Sequence, residues 1–300
     1  ALMALFKTYL GSIIDDKVWK GIAEGLNYGL GFMVIFMLHF TVATKQPAMT
    51  AARFAEAVEK TPQGKSVNMK LAQLLVDVFR SQSIAVLGNV LIAMGLAALI
   101  AFSYQYKTGE PLMNADQIAY QLHSIDPFAG TLWFAAIAGV WLFCSGIISG
   151  YFDNRSNYLN MRMRLAQHPL LKKLMSEKTR VKFANYMHEN YGSLIGNLCF
   201  GMLLGITGVV GYLTHLPLDI RHVAFSSANV GYIAVSGHFT YSLLLQCIGF
   251  VLLIGLVNLI VSFSLTLWVA LRSLNAEIES WWPILYEVCQ IVKKRPLSLF

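Results

Sequence analysis

The sequence predicts an all-α integral membrane protein, a polytopic bundle of transmembrane helices. Two observations predict this fold class. Only 13% of the 300 residues are charged and the mean hydropathy is +0.55, whereas soluble domains carry about 25% charged residues. The charges are also clustered, which leaves uncharged tracts longer than the roughly 20 apolar residues that a helix needs to cross the hydrocarbon core.

Five tracts are long enough to span a bilayer, and backbone in lipid must satisfy its own hydrogen bonds, so we expect each tract to be a helix. The tracts cover about 21–43, 82–104, 127–152, 192–214 and 241–270. Residues 1–14 are apolar but too short to cross, which predicts the end of a preceding span in the C-terminal portion of a longer protein. All 300 residues are therefore expected to form a single transmembrane domain.

Lys and Arg residues predict the orientation of the spans. Segments 44–81 and 153–191 carry six and eight of them, the tail after the fifth span carries four, and the opposite side carries five. Because basic residues concentrate in cytoplasmic loops, we expect both segments and the C-terminus in the cytoplasm. The net charge of +7 then favours the anionic membrane surface, rather than nucleic acid, as the partner of the basic residues.

Both predicted cytoplasmic loops contain amphipathic helical patterns. In the first loop, Ala51, Phe54, Ala55 and Val58 recur at helical spacing on one face. In the second loop, residues 161–174 mix Arg and Lys with Leu and Met. These patterns predict short helices that lie on the membrane surface, or solvated helical hairpins that only connect the spans.

The fourth span is rich in glycine. Gly192 and Gly196, and then Gly201 and Gly205, are four residues apart, a spacing that lets helices approach closely in lipid. We expect this span at a helix–helix interface. The partner is either another helix of this chain or, through residues 192–211, a second copy or another membrane subunit.

Polar residues inside the spans are candidates for function, because ionisable groups are costly within a bilayer. Glu24, Asn27 and His39 in the first span are candidates for transport or a proton relay, although Glu24 and His39 lie near the span ends and could simply reach interfacial water. The asparagines of the spans, Asn258 among them, are expected to tie helices together by hydrogen bonds.

The strongest local pattern follows the fourth span, in a loop predicted to be non-cytoplasmic. It consists of Asp219, Arg221, His222, Ser226, Ser227 and Asn229. Asp219 and Arg221 can pair, which offsets the free energy of placing either charge near lipid. The pattern indicates either a re-entrant or interfacial loop that this pair clamps, or a substrate site. Serine, histidine and aspartate also permit a catalytic triad by residue type, but their spacing does not favour one.

Motifs for cofactors and catalysis are missing from the sequence. It contains no zinc-ligand spacing, phosphate loop, dinucleotide fingerprint or haem motif, so we expect no cofactor and no metal. None of the seven histidines is followed by arginine three positions later, and no GxSxG elbow occurs. We therefore assign no catalytic residues.

Four long stretches form specific motifs. They are LHFTVATKQPAMTAA (38–52), SGYFDNRSNYL (149–159), GNLCFGMLLGITGVVG (196–211) and LPLDIRHVAFSSAN (216–229). Together they resemble a bacterial membrane family known as site-specific recombinases, of the gonococcal-recombinase type. The resemblance implies a multi-pass protein of the bacterial inner membrane with DNA recombination as its named activity. On the cytoplasmic side it points to Lys45, Gln46, Pro47, Asp153 and Asn154.

Three functions stay open. The first is a non-enzymatic transporter, lipid- or solute-binding protein or envelope-assembly scaffold, which the glycine-rich span and the Asp219 loop favour. The second is a DNA recombinase or membrane-bound recombination accessory, as the resemblance implies, with the cytoplasmic loops holding DNA. The third is hydrolase or transferase chemistry at Asp219 and His222. The missing recombinase, hydrolase and metal-site motifs favour the first.

Overall fold

The computed structural model describes residues 1–40, 51, 54–58, 65–236, 240–275, 278 and 280–295. Across these residues the regular structure is entirely helical. The helices are α1 Leu2–Ile13, α2 Lys17–Met37, α3 Lys65–Thr108, α4 Ala115–Ile125, α5 Thr131–Tyr158, α6 Met161–Gln167, α7 Pro169–Leu174, α8 Glu177–Thr214, α9 Val223–Ala234, α10 Tyr241–Ser273 and α11 Trp282–Lys294. Residues 54–58 are also helical, and a 3₁₀ turn, Pro127–Ala129, precedes α5.

Four of the described helices, α3, α5, α8 and α10, are long and apolar enough to cross a membrane. Three of them, α3, α8 and α10, contain the second, fourth and fifth predicted spans. The helix α5 begins at Thr131, four residues after the predicted start of the third span, because a 3₁₀ turn and Gly130 precede it. The two short helices α6 and α7 lie in the second predicted cytoplasmic loop. The predicted fold class, an all-α polytopic membrane bundle, is confirmed.

The first predicted span corresponds to α2, which is not among those four helices. It begins with Lys17 and carries Glu24 and Asn27, so its first half is polar. The helix ends at Met37, short of the predicted end near residue 43, because the chain turns at His39, whose φ of 61° is left-handed. The count of five spans therefore stays a prediction.

Glycines join α2 to α8. A Cβ added at Gly201 would collide with the backbone of Gly29, and one added at Gly205 would collide with the backbone of Gly25. Glycine at these positions lets the two helix backbones touch. The fourth predicted span thus lies at a helix–helix interface as expected, and these glycines face another helix of the same chain.

The second predicted span lies within a much longer helix. This helix, α3, has 44 residues and begins at Lys65, well before the predicted start of the span near residue 82. The beginning of this long helix packs into a hydrophobic cluster that brings together distant parts of the chain. We call it the α11 cluster; its buried members include Phe54, Leu71, Ala72, Leu267 and Ile284.

Candidate functional site

The segment between α8 and α10 enters the bundle and leaves again. After α8 ends, His215 reverses the chain with a left-handed φ of 54°. The carbonyl oxygen of Leu218 then contacts Gly211 of α8 so closely that a Cβ at this glycine would collide with it. Four residues later, the ring of His222 packs 5.4 Å from that of Phe200, also on α8. Gly211 and Phe200 are about 16 Å apart along the α8 axis, at 1.5 Å per residue. Residues 216–222 therefore run back alongside α8 towards the middle of the bundle.

The helix α9 then leads out of the bundle. Val223, its first residue, and Val86 of α3 both border Gly255, whereas Gly231 lies against Met94 and Ala97. The start of α9 thus lies beside residue 86 of α3 and its later part beside residues 94–97, so the two helices run parallel. With 12 residues, α9 is about 18 Å long, too short to cross a bilayer of roughly 30 Å. Residues 216–234 thus form a re-entrant segment, an extended arm followed by a half-length helix.

Arg221 anchors this arm. Its Nη1 donates to Asp219 Oδ2 at 2.6 Å and to the Ile220 carbonyl at 2.8 Å, and its Nε donates to the Ser124 carbonyl at 2.7 Å. The guanidinium also lies 5.3 Å from the ring centroid of Phe134. The Arg221 side chain is only 15% exposed, against 40% for that of Asp219. The expected ion pair is present, and it fastens the arm to the residues before and within α5.

Asn258 of α10 fixes the junction between the arm and α9. Its Nδ2 donates to the carbonyls of Ala135 and Arg221, at 2.7 and 3.0 Å, and its Oδ1 accepts from the N–H of Val223 at 3.2 Å. The first N–H of a helix has no partner within the helix, so Asn258 supplies that partner from a neighbouring span. This is the expected role of an asparagine in a membrane bundle.

His222 lies at the innermost point of the re-entrant segment. Its ring packs against Phe32, Phe200 and Phe225, with centroid distances of 5.4–5.9 Å. The residue is 9% exposed, and its Nδ1 has no hydrogen-bond partner among the described residues. The ring therefore belongs to the aromatic packing in the interior of the bundle.

The three remaining polar residues of the pattern face elsewhere. Ser226 is buried, and the hydroxyl of Ser227 donates to the carbonyl of Val223 within the same helix, at 2.6 Å. Asn229 Nδ2 donates to Gln121 Oε1 on α4 at 2.7 Å. The sequence pattern therefore divides into an arm that Arg221 clamps and a helix whose polar groups serve its own packing.

A second charged pair lies on α1 and α2. Lys7 Nζ is 3.7 Å from a carboxylate oxygen of Glu24, and the buried hydroxyl of Tyr28 has no hydrogen-bond partner among the described residues. Asn27 Nδ2 donates to the Met3 carbonyl at 2.8 Å and so holds α1 against α2. Lys7 is not among the residues predicted from the sequence, although it is an ionisable residue within an apolar stretch, as Glu24 is.

The two charged pairs belong to one region. The Lys7 ammonium lies 6.0 Å from the ring centroid of Tyr28, and the Tyr28 ring in turn packs 4.4 Å from that of Phe225 in the re-entrant segment. We call Lys7, Glu24, Tyr28, Asp219 and Arg221 the polar cluster. It joins α1 and α2 to the re-entrant arm.

The comparisons with known proteins identify the family. A protein-family model described as "Site-specific recombinase" matches residues 1–300. The chain belongs to this family. No curated protein and no solved structure matches it.

The family motif on α5 packs against α8. Asp153 Oδ1 accepts the backbone N–H of Gly192 at 3.0 Å, and a Cβ on that glycine would collide with Asp153. Asn154 is exposed. Of the other motif residues, His39 is exposed at the end of α2. Lys45, Gln46 and Pro47 lie outside the described residues.

A serine–histidine contact between α5 and α8 was also not predicted from the sequence. Ser156 Oγ lies 3.1 Å from Nδ1 of His188, where α5 crosses α8. Ser156 is fully buried, so its oxygen cannot reach a substrate and the contact serves packing. Within the part of the chain that the structure describes, no three His, Cys, Asp or Glu side chains gather in a metal-binding group.

Proposed function

We propose that this membrane protein is a non-enzymatic transporter that binds a small polar solute in the polar cluster. The observation that carries the proposal is the placement of two ion pairs beside a re-entrant segment. Ionisable groups within a membrane domain are functional candidates by default. Extended backbone within membrane proteins is tolerated where protein buries it or where it lines a cavity, and transporters use broken helices in this way at their binding sites.

The loose pair supports a role for Lys7 and Glu24 in solute binding. Their 3.7 Å separation exceeds hydrogen-bond length, and the Lys7 side chain is 47% exposed. A solute with one positive and one negative group would replace this contact with two charge-assisted hydrogen bonds. A small zwitterion is therefore the proposed class of solute, with Arg221 as a positioning residue.

Uptake into proteoliposomes tests this proposal. The probes are radiolabelled glycine and glycine betaine as zwitterions, with lactate and choline as solutes of single charge. We expect uptake of a zwitterion in preference to both singly charged solutes. Glu24→Gln should abolish it, whereas the exposed control Glu110→Gln should retain it. Uptake no greater than in protein-free liposomes for either zwitterion would contradict the proposal.

We further propose that the protein lies in the bacterial inner membrane with its C-terminus in the cytoplasm. The bias of Lys and Arg towards segments 44–81 and 153–191 and the tail supports this orientation. Fusions to alkaline phosphatase, which is active only outside the cytoplasm, test it. Fusions after residues 175 and 295 should be inactive and a fusion after residue 110 active. The reverse pattern would invert the topology.

A recombination accessory is the second candidate, because the family name and a basic surface favour it. Arg162, Arg164, Lys172 and Lys173 on α6 and α7 are all exposed, and DNA binding would use such residues. Binding through them would weaken with salt at a slope of about 0.9 per phosphate neutralised. Purified protein in detergent that binds duplex DNA with this dependence, and loses it in Lys172→Gln/Lys173→Gln, would favour this function over transport.

A further inference from the structure

The last helix, α11, has two apolar faces. One face is covered, because Ile284 is buried in the α11 cluster and Val288 and Ile291 pack against that cluster. The opposite face is open: Trp282 is 80% exposed and Tyr286 63% exposed. Leu285 and Cys289 continue the same open face at helical spacing, and both are exposed.

The position of α11 indicates what covers the open face. Its covered side meets Leu267, which lies near the end of the membrane-spanning helix α10. The next residue, Trp268, is exposed, and the guanidinium of Arg272 lies 5.9 Å from its ring. Exposed tryptophan with an arginine one turn further on is typical of the boundary between hydrocarbon and headgroups. The α11 helix therefore lies at the level of a membrane surface.

The charges of α11 match such a surface. Lys293 and Lys294 end the helix, Arg295 follows, and all three are exposed. An amphipathic helix with aromatic residues on one face and lysines beside them binds anionic bilayers through both. Each lysine near an anionic surface contributes about 1 kcal/mol. The side on which α11 lies is also the side that the charge bias predicts to be cytoplasmic.

We infer that α11 is a lipid-binding anchor that lies in the membrane–water interface. Trp282, Leu285 and Tyr286 enter the headgroup region, and Lys293 and Lys294 bind lipid phosphates. The helix thereby holds the α11 cluster, and with it the start of α3, against the bilayer. This binding surface is separate from the polar cluster and independent of any transport activity.

Fluorescence of a dye on Cys289 tests the inference. Cys144, Cys199 and Cys247 are replaced with alanine, and the full chain is placed as a single copy in nanodiscs of anionic phosphatidylglycerol. The control carries the dye on the exposed Glu110→Cys, with Cys289 also replaced. We expect headgroup-attached nitroxide lipids to quench the Cys289 dye and aqueous iodide to quench it weakly. Iodide should quench the control dye strongly.

The lysines supply the second arm of the test. Lys293→Gln/Lys294→Gln should weaken interfacial partition about 30-fold, which is 2 kcal/mol at about 1 kcal/mol per lysine. Iodide quenching of the Cys289 dye should then rise towards the control value. Both lysines are exposed, so folding should not change. Strong iodide quenching of Cys289 in the unmodified helix would overturn the inference. So would protection that appears only in nanodiscs holding two copies, since a second chain would then cover the face.

Discussion

The two ion pairs of the polar cluster differ in almost every respect. Asp219 and Arg221 are two residues apart in sequence and pair at 2.6 Å, with two further carbonyls bound to the same guanidinium. Lys7 and Glu24 lie on different helices and approach only to 3.7 Å. Both residues of the first pair belong to the arm itself. The second depends on the packing of α1 on α2 and on the hydrogen bond from Asn27 to the Met3 carbonyl.

This difference separates a structural role from a binding role. Removing one partner of a buried, hydrogen-bonded pair leaves several groups without partners, which destabilises strongly. Neutralising the half-exposed lysine of a loose pair changes stability little when the new side chain can still donate a hydrogen bond to its partner. Only the loose pair can exchange its contact for a solute without unfolding the arm. Four substitutions test this division, in order of their expected effect on stability.

Arg221→Ala should have the largest effect. The substitution removes the ion-pair partner of Asp219 and one of the two donors to the Ser124 carbonyl, which keeps its hydrogen bond from the Thr131 hydroxyl. We expect a loss of about 3 kcal/mol. Urea unfolding in detergent micelles measures it. The exposed Arg155→Ala should change the free energy of unfolding by about 0.5 kcal/mol or less. If both variants unfold alike, the arm does not depend on Arg221.

Asn258→Ala should have the next largest effect. It leaves the buried N–H of Val223 without its acceptor and removes a donor from the Arg221 carbonyl. We expect a loss of about 2 kcal/mol. The same unfolding assay applies, with the exposed Asn157→Ala as control. Hydrogen exchange should also rise at the start of α9 and not in α8. Equal exchange in both helices would mean that Asn258 does not hold this junction.

Asp219→Asn should have a smaller effect. The asparagine keeps an oxygen that can accept from Arg221, and the carbonyls of Ser124 and Ile220 still bind the guanidinium. Since Asp219 is 40% exposed, we expect a loss of about 1 kcal/mol. The exposed Asp116→Asn provides the control in the same assay. A loss as large as that of Arg221→Ala would show that the pair, rather than the arginine alone, fixes the arm.

The sequence predicts the interactions that are local or repeated. Asp219 and Arg221 are close neighbours, so their pairing follows from residue types. The glycines recur at a helical spacing, so a close helix contact follows, and the arrangement of the uncharged tracts predicts an all-α membrane bundle. In each case the property that decides the structure is visible within one short stretch of the chain.

Contacts between distant parts of the chain could not be predicted in this way. Arg221 donates to the carbonyl of Ser124, 97 residues away, and any carbonyl could have served. His222 is enclosed by rings from α2, α8 and α9, which only the three-dimensional packing brings together. The Lys7–Glu24 pair depends on α1 folding back along α2. The extended arm likewise has no sequence signal of its own beyond the polar residues that anchor it.

Lys7→Gln should have the smallest effect on stability and the largest on transport. The glutamine amide can still donate to the carboxylate of Glu24, which is 13% exposed, but it lacks the positive charge that would bind the negative group of a zwitterion. We expect the free energy of unfolding to change by less than about 1 kcal/mol, while uptake of the zwitterionic probes falls to the level of protein-free liposomes. The exposed Lys107→Gln should alter neither quantity. A loss of stability comparable to that of Arg221→Ala would make Lys7 a structural residue, and the two pairs of the cluster would then share one role.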